Sequence, residues 1–228
     1  MEKIRIGFLV DQMEVDWHTF DLIEFVEKNK DHFYDPLILT GYKHHNTKKK
    51  ILNKFFNFLN NKGLKETFNF LLNWFPRKLI INIELKKVKN KFPNYSVKKN
   101  IDILELKKID ISGSWSKNKV IFRPNNESLE RLRKLNFDLI IRCGSGILRG
   151  EILTLPTMGI LSFHHGDNRV NRGGPSGFWE VLFNQPSSGF IIQQLTEALD
   201  NGNILFRGNI MTSNLWLMNN ASLIEKSQ

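Results

Sequence analysis

Apolar runs of strand length alternate with stretches of helical period over much of this chain. Ile4 to Val10 is apolar and β-branched and predicts a buried strand. Trp17 to Lys28 places Phe20, Leu22, Ile23, Phe25 and Val26 on one broad apolar face, which predicts a helix. Pro36 to Thr40 reads as a second strand. This β-α-β opening suits a parallel sheet with a Rossmann-like start. No G-x-G-x-x-G follows the first strand, which counts against a dinucleotide site there. Further on, Ile101 to Leu106 and Val120 to Phe122 read as strands. Asn125 or Asn126 then caps a helix whose Leu129, Leu132 and Leu135 face inward. Phe137 to Ile141 is the next strand, with Gly144-Ser145-Gly146 as its turn, and Met158 to Leu161 and Gly189 to Leu195 are later apolar runs. The expected fold class is α/β, a Rossmann-like, mostly parallel sheet with helices on both faces. Residues 1–210 are expected to form one domain and residues 211–228 a C-terminal tail.

Residues 43–100 depart from that rhythm. Lys48-Lys49-Lys50 precedes Ile51, Leu52, Phe55, Phe56, Phe58 and Leu59, and Phe68, Phe70 and Trp74 follow Gly63. Spacings of three, four and seven predict amphipathic helices. The segment reads as a basic helical insert capping the core. A basic, aromatic helix lying on an anionic membrane surface is the alternative. Charge follows the same boundary. The chain carries a net +10, yet Lys43 to Lys119 holds 19 Lys/Arg against 5 Asp/Glu, and the rest holds 14 against 18. The half that carries the candidate chemistry is therefore not basic, and no nucleic-acid partner is expected for it.

Length and composition narrow the class further. The 228 residues, 41% of them apolar, suffice for a real core. The single cysteine, Cys143, allows no intramolecular disulfide and points to a reducing, cytoplasmic setting. The apolar part of the N-terminus is short and interrupted by Arg5, unlike a signal peptide. No run reaches the ~18 apolar residues of a spanning helix.

The candidate chemistry sits at predicted strand ends. The run ending at Leu161 delivers Ser162, His164 and His165, and the run ending at Leu195 leads to Asp200 in the turn Leu199-Asp200-Asn201-Gly202. A His and an Asp meeting there can move a proton beside a developing oxyanion. Side chains alternate along a strand, so His165 is expected on the opposite face from His164. Between the runs lies a Gly-rich loop bearing Arg172 and Gly173. A metal site built from His164, His165, Asp167 and Asp200 is disfavoured, because adjacent histidines on a strand diverge. Cys143 reads as an inert small hydrophobe.

In order, these motifs resemble the catalytic half of the 10-formyltetrahydrofolate-dependent formyltransferases. The matching elements are Asp138-Leu139-Ile140-Ile141, Gly144-Ser145-Gly146-Ile147-Leu148, Gly159-Ile160-Leu161, Ser162-Phe163-His164, Arg172-Gly173 and Leu199-Asp200-Asn201-Gly202, all within Phe137 to Asn209. The form Ser162 to Asp167 resembles a divergent bacterial branch of that family. The resemblance implies formyl transfer from 10-formyltetrahydrofolate to an amine, with no metal. It implies His164, Asp200 and Ser162 as catalytic residues. Ser162 stands where the family has an Asn, and His165 to Arg169 replace an apolar loop with a polar one. Gly146, Ile147, Leu148, Thr196 and Leu199 are implied to bind the folate donor. Arg172, Gly173 and His165 are implied to meet the acceptor, a small-molecule or glycan amine and in the first place an amino sugar. The C-terminal domain of the methionyl-tRNA enzymes is not expected after Ile210, which lowers tRNA as the expected acceptor. Losing one oxyanion donor costs about 2.7–4 kcal/mol, so Ser162 predicts a weaker or altered activity. A degenerate binding module, docked peripherally at the inner face of the membrane, is the contrasting expectation.

Overall fold

The computed structural model describes residues 2–41, 76–144, 146–170, 174–198 and 202–227. The chain divides into two compact units, Met1–Lys43 with Ser96–Gln228, and His44–Tyr95. In chain order, the first unit opens with β1 (Ile6–Val10), β2 (Glu14–Asp16), α1 (Trp17–Lys28) and β3 (Leu37–Thr40). In the second unit residues 76–91 are helical and are called α2. The Phe55 to Trp74 stripe lies outside the described residues. The first unit resumes with β4 (Lys98–Asn100), β5 (Lys108–Asp110), β6 (Gly113–Trp115), β7 (Ile121–Pro124), α3 (Asn126–Lys134), β8 (Leu139–Cys143) and β9 (Ile147–Leu148). It ends with β10 (Ile160–His164), α4 (Phe178–Leu182), β11 (Ser187–Gln194), β12 (Asn203–Met211) and α5 (Trp216–Lys226).

Seven strands form the main sheet in the order β12-β11-β10-β8-β1-β3-β5. From β10 to β5 every neighbouring pair is parallel, and β11 and β12 extend that edge antiparallel. β1 is buried at all five positions. A central parallel strand covered on both faces needs such an unbroken apolar run. On one face Leu9, Leu39, Ile140 and Ile160 pack with Leu129 and Leu132 of α3. On the other, Phe8, Val10, Ile38 and Ile141 pack with Phe20, Ile23 and Val26 of α1. Fully burying each such side chain contributes ~1.5–3 kcal/mol. α3 begins where expected, the Asn125 side chain accepting from the Ser128 N–H at 2.9 Å.

Four segments differ from the sequence expectation. Ile101–Leu104 is a 3-10 turn rather than a strand. The Asn100 side chain accepts from the Asp102 N–H, and Glu105 turns left-handed at φ 52°, so the chain cannot extend until β5. β8 and β10 run past their apolar stretches, because the hydrogen-bonded ladder continues after burial of apolar groups has ended. The expected tail carries the end of β12 and α5, with Leu217, Asn219, Ala221 and Leu223 buried. Asn219 Nδ2 donates to the Gly177 carbonyl at 2.9 Å and to Ser188 Oγ at 2.7 Å. Trp216 Nε1 donates to the Ser176 carbonyl at 3.1 Å. The C-terminal helix thus holds the loop that follows β10.

Candidate active site

Alternation along β10 sorts the candidate residues. Ile160 lies in the α3-side core, so Ser162 and His164 share its face, while Leu161 and Phe163 face α1. Pairing across the sheet sets Leu9, Arg142, Ser162 and Gln193 in one row over β1, β8, β10 and β11. Arg142 and Gln193 are each 8% exposed. Neither belonged to the motif read from the sequence. The available signal was a charge inside Leu139-Ile140-Ile141-Arg142-Cys143 and a carboxamide after Ile191-Ile192, at positions where burial is expected.

Two clefts open at the carboxyl ends of the strands, where ligands of open α/β sheets bind. One, of about 220 Å³, is lined by Gly146, Ile147, Leu148, Arg149, His164, Gln193, Thr196 and Ala198. Gly146 adopts φ +78°, a conformation that L side chains rarely take. Its rim is tied by Glu197, which accepts from Arg149 Nη1 at 3.2 Å and from the Gly150 N–H at 2.6 Å. The other cleft, of about 570 Å³, is lined by Asp11, Asp16, His18, Thr19, Lys98, Cys143, His165 and Ser227 among others. Arg142, Gly144, Ser162 and Phe163 line both. A Cβ at Gly144 would meet the Asp11 carboxylate, so a larger residue there would have to displace that side chain.

The clefts differ in electrostatics. His165 Nε2 lies 3.0 Å from Ser227 Oγ. Burial pushes the imidazole down to about 4, with His18 and His164 adding to the shift. Burial also lowers His18, against the pull of Asp16. Both rings are neutral at neutral pH. Asp16 and Lys98 pair at 2.6 Å on the rim. Burial raises the Cys143 thiol to about 12, which leaves it unreactive. Asp167 is clamped by Arg169 at 2.6 Å and Arg207 at 2.5 Å. The hydrogen bond from Arg169 is the leading cause of its lowered pKa. Among the described residues no group of three or more His, Cys, Asp or Glu could hold a metal ion.

Of the residues singled out from the sequence, the structure brings Ser162, His164, Gly146, Ile147, Leu148 and Thr196 to one cleft. His165 lines the other, on the opposite side of β10. Asp200, Leu199, Arg172 and Gly173 lie outside the described residues. A hydroxyl and a buried guanidinium where two clefts meet, with the His164 imidazole in one of them, can transfer a proton beside a carbonyl that gains negative charge.

The architecture is an α/β fold whose mostly parallel sheet carries clefts at the carboxyl ends of its strands. No family model matches the chain. Over 87 residues it is 31% identical to the methionyl-tRNA formyltransferase of Caldanaerobacter subterraneus subsp. tengcongensis, covering 38% of this chain and 28% of that protein. The chain thus spans little more than a quarter of that curated relative. Among solved structures it is similar to glycinamide ribonucleotide transformylase 1 from Symbiobacterium toebii, with TM-score 0.56, 11% identity, and 99% and 82% of the two chains covered. It is also similar to phosphoribosylglycinamide formyltransferase from Bacillus halodurans, with TM-score 0.55, 12% identity and 98% and 89% covered. A formyltetrahydrofolate deformylase from Pseudomonas syringae pv. tomato gives TM-score 0.54 at 9% identity, with 99% and 56% covered. The chain has the fold shared by these formyltransferases and deformylases.

Proposed function

We propose that the protein transfers a formyl group from 10-formyltetrahydrofolate to an amine, in the first place that of an amino sugar or glycoconjugate, in the cytoplasm. The observation that carries this reading is the gathering of Ser162 and His164 with Gly146, Ile147, Leu148 and Thr196 in one cleft, which meets a second cleft across Ser162. The pterin lies in the first cleft, against Gly146, Ile147 and Leu148 and close to Thr196 and Leu199. The amine enters from the other side, met by His165, Arg172 and Gly173. Its nitrogen attacks the formyl carbon, and the carbonyl π pair moves onto oxygen. Ser162 donates one hydrogen bond to that oxyanion, where an amide would offer two. Asp200 holds His164, or a water, and helps remove the amine proton. His164 delivers a proton to the departing N10, leaving a formamide and tetrahydrofolate.

The test is turnover of 10-formyltetrahydrofolate with a panel of free and nucleotide-linked amino sugars, read as tetrahydrofolate release and as formamide by mass spectrometry. Formamide formation is expected. Donor-analogue binding with no release for any amine, nor for water, replaces the enzyme reading with a binding module. A specific observation favours that second reading. Leu79, Ile80 and Ile83 of α2 are more than half exposed, and α2 also carries Lys78, Lys86, Lys87, Lys89 and Lys91. An apolar, lysine-rich helix suits an anionic bilayer surface, and co-sedimentation with anionic liposomes is its test.

A further inference from the structure

We propose that Arg142 is a further catalytic residue, its guanidinium holding the oxyanion that Ser162 alone would leave short of a donor. The inference rests on the formyl-transfer reading above and names a residue that this reading does not use.

Three observations converge on it. Arg142 is buried, 8% exposed, near the end of a strand that otherwise reads Leu139-Ile140-Ile141. A guanidinium stays charged under all ordinary conditions, so this wall of the clefts carries a fixed positive charge. Second, Arg142 is paired with Ser162 on the adjoining strand. Neighbouring strands lie ~4.8 Å apart, and both side chains rise on the face that carries Ile140 and Ile160. Third, Arg142 lines both clefts. A formyl carbon bound in one cleft and attacked from the other must lie where they meet.

The chemistry fits the substitution. A hydroxyl donates once, whereas a guanidinium carries five N–H donors and a full positive charge. Charge-assisted hydrogen bonds are roughly twice as strong as neutral ones. As the amine lone pair bonds to the formyl carbon, the π pair settles on oxygen between Arg142 and Ser162. His164 takes the amine proton. The oxygen then re-forms its double bond, the bond from carbon to N10 breaks, and N10 keeps that pair and takes the proton from His164. Arg142 stays protonated throughout, and no oxidant or reductant is needed.

Hydrolysis of 10-formyltetrahydrofolate, with water in place of the amine, passes through the same oxyanion and needs no knowledge of the acceptor. Arg142→Met should lower kcat for hydrolysis by about 10²–10³-fold, the usual effect of removing one oxyanion donor. The dissociation constant of 5-formyltetrahydrofolate and the melting temperature should stay close to those of the parent. Ser162→Asn placed in the Arg142→Met background should recover about tenfold or more, because the amide restores a donor. Retained kcat in Arg142→Met overturns the proposal. So does a joint loss of kcat, donor affinity and melting temperature that Ser162→Asn does not relieve, which marks a structural cation. Should Arg142→Met fail to fold, Arg142→Lys decides: kcat reduced at unchanged donor affinity supports the role, and an unchanged kcat removes it. A parent protein that releases no tetrahydrofolate with amine or water removes the formyl-transfer reading, and this inference falls with it. Activity in the parent that Arg142→Met and Arg142→Lys both keep removes the inference alone.

Discussion

On the α3 side of β10 the chain presents glycines, Arg149, Gln193 and Thr196 around His164, and on the α1 side it presents carboxylates and imidazoles around His165. The two histidines are adjacent in sequence, and the period-two geometry of a strand places them in different chemical settings. His165 is half-buried, held neutral, and set against Ser227 at the end of α5. His164 stands beside Ser162 among the residues proposed to hold the folate. Neighbouring histidines thus form no pair here, and the strand works as a partition between two binding surfaces. Only the shared residues Arg142, Gly144, Ser162 and Phe163 belong to both sides.

The sharpest way to break this comparison is to remove each ring in turn. His164→Ala should reduce donor hydrolysis and formyl transfer by about 10²–10⁴-fold, the range for losing a positioned proton-transfer group. Its melting temperature should stay near that of the parent. His165→Ala should leave donor hydrolysis within a few-fold and act on the acceptor KM and on stability. Equal losses of hydrolysis in two well-folded variants would mean that the clefts are not functionally distinct.

A smaller effect should appear in stability against pH. The His165 imidazole in the folded chain sits at about 4, below its ordinary 6.5, because burial disfavours its charged form. Between these values the unfolded chain binds the extra proton, so stability falls as the pH is lowered from about 6.5 to about 4. The slope from this one group is at most about 1.4 kcal/mol per pH unit. His18, also lowered by burial, acts in the same direction. His165→Gln should therefore flatten the fall in urea midpoint over this window without abolishing it. An unchanged slope would place His165 in water rather than in the wall of the cleft.

Much of this partition was legible in the sequence. The β1-α1-β3 opening, the Asn125 cap and the opposed faces of His164 and His165 all follow from periodicity or local hydrogen bonding. Arg142 and Gln193 did not stand out, because the apolar run of β8 ends at Ile141 while the ladder goes on to Cys143. Hydrophobicity marks where a strand is covered, whereas partner strands decide where it stops. The second cleft was hidden for another reason. Asp16 lies in β2 and Lys98 in β4, and only the pairing of those strands sets Asp16 against Lys98. α5 reads as a tail in the sequence because its 11 residues carry an alternation too brief to stand out without the groove they fill.

The smallest predicted effects lie at the rims, and they ask whether the clefts can be tuned separately. Arg149 and Glu197 tie the edge of the folate-side cleft at 3.2 Å, with Arg149 20% and Glu197 60% exposed. Lys98 and Asp16 pair at 2.6 Å on the edge of the other, both nearly half exposed. Solvent screens such pairs, and each contributes ~0.2–1 kcal/mol, equivalent to a change of about fivefold or less in a binding constant. Arg149→Ala should weaken 5-formyltetrahydrofolate binding by no more than that and leave the acceptor KM alone, since its partners all line or border one cleft. Lys98→Ala should do the reverse, shifting the acceptor KM with donor affinity unchanged. Titration of the donor analogue by intrinsic tryptophan fluorescence, beside acceptor saturation curves for the two variants, gives both numbers. Crossed effects, with Lys98→Ala moving donor affinity as far as Arg149→Ala does, would show that the strand does not insulate one surface from the other and that binding on one side is felt across Ser162.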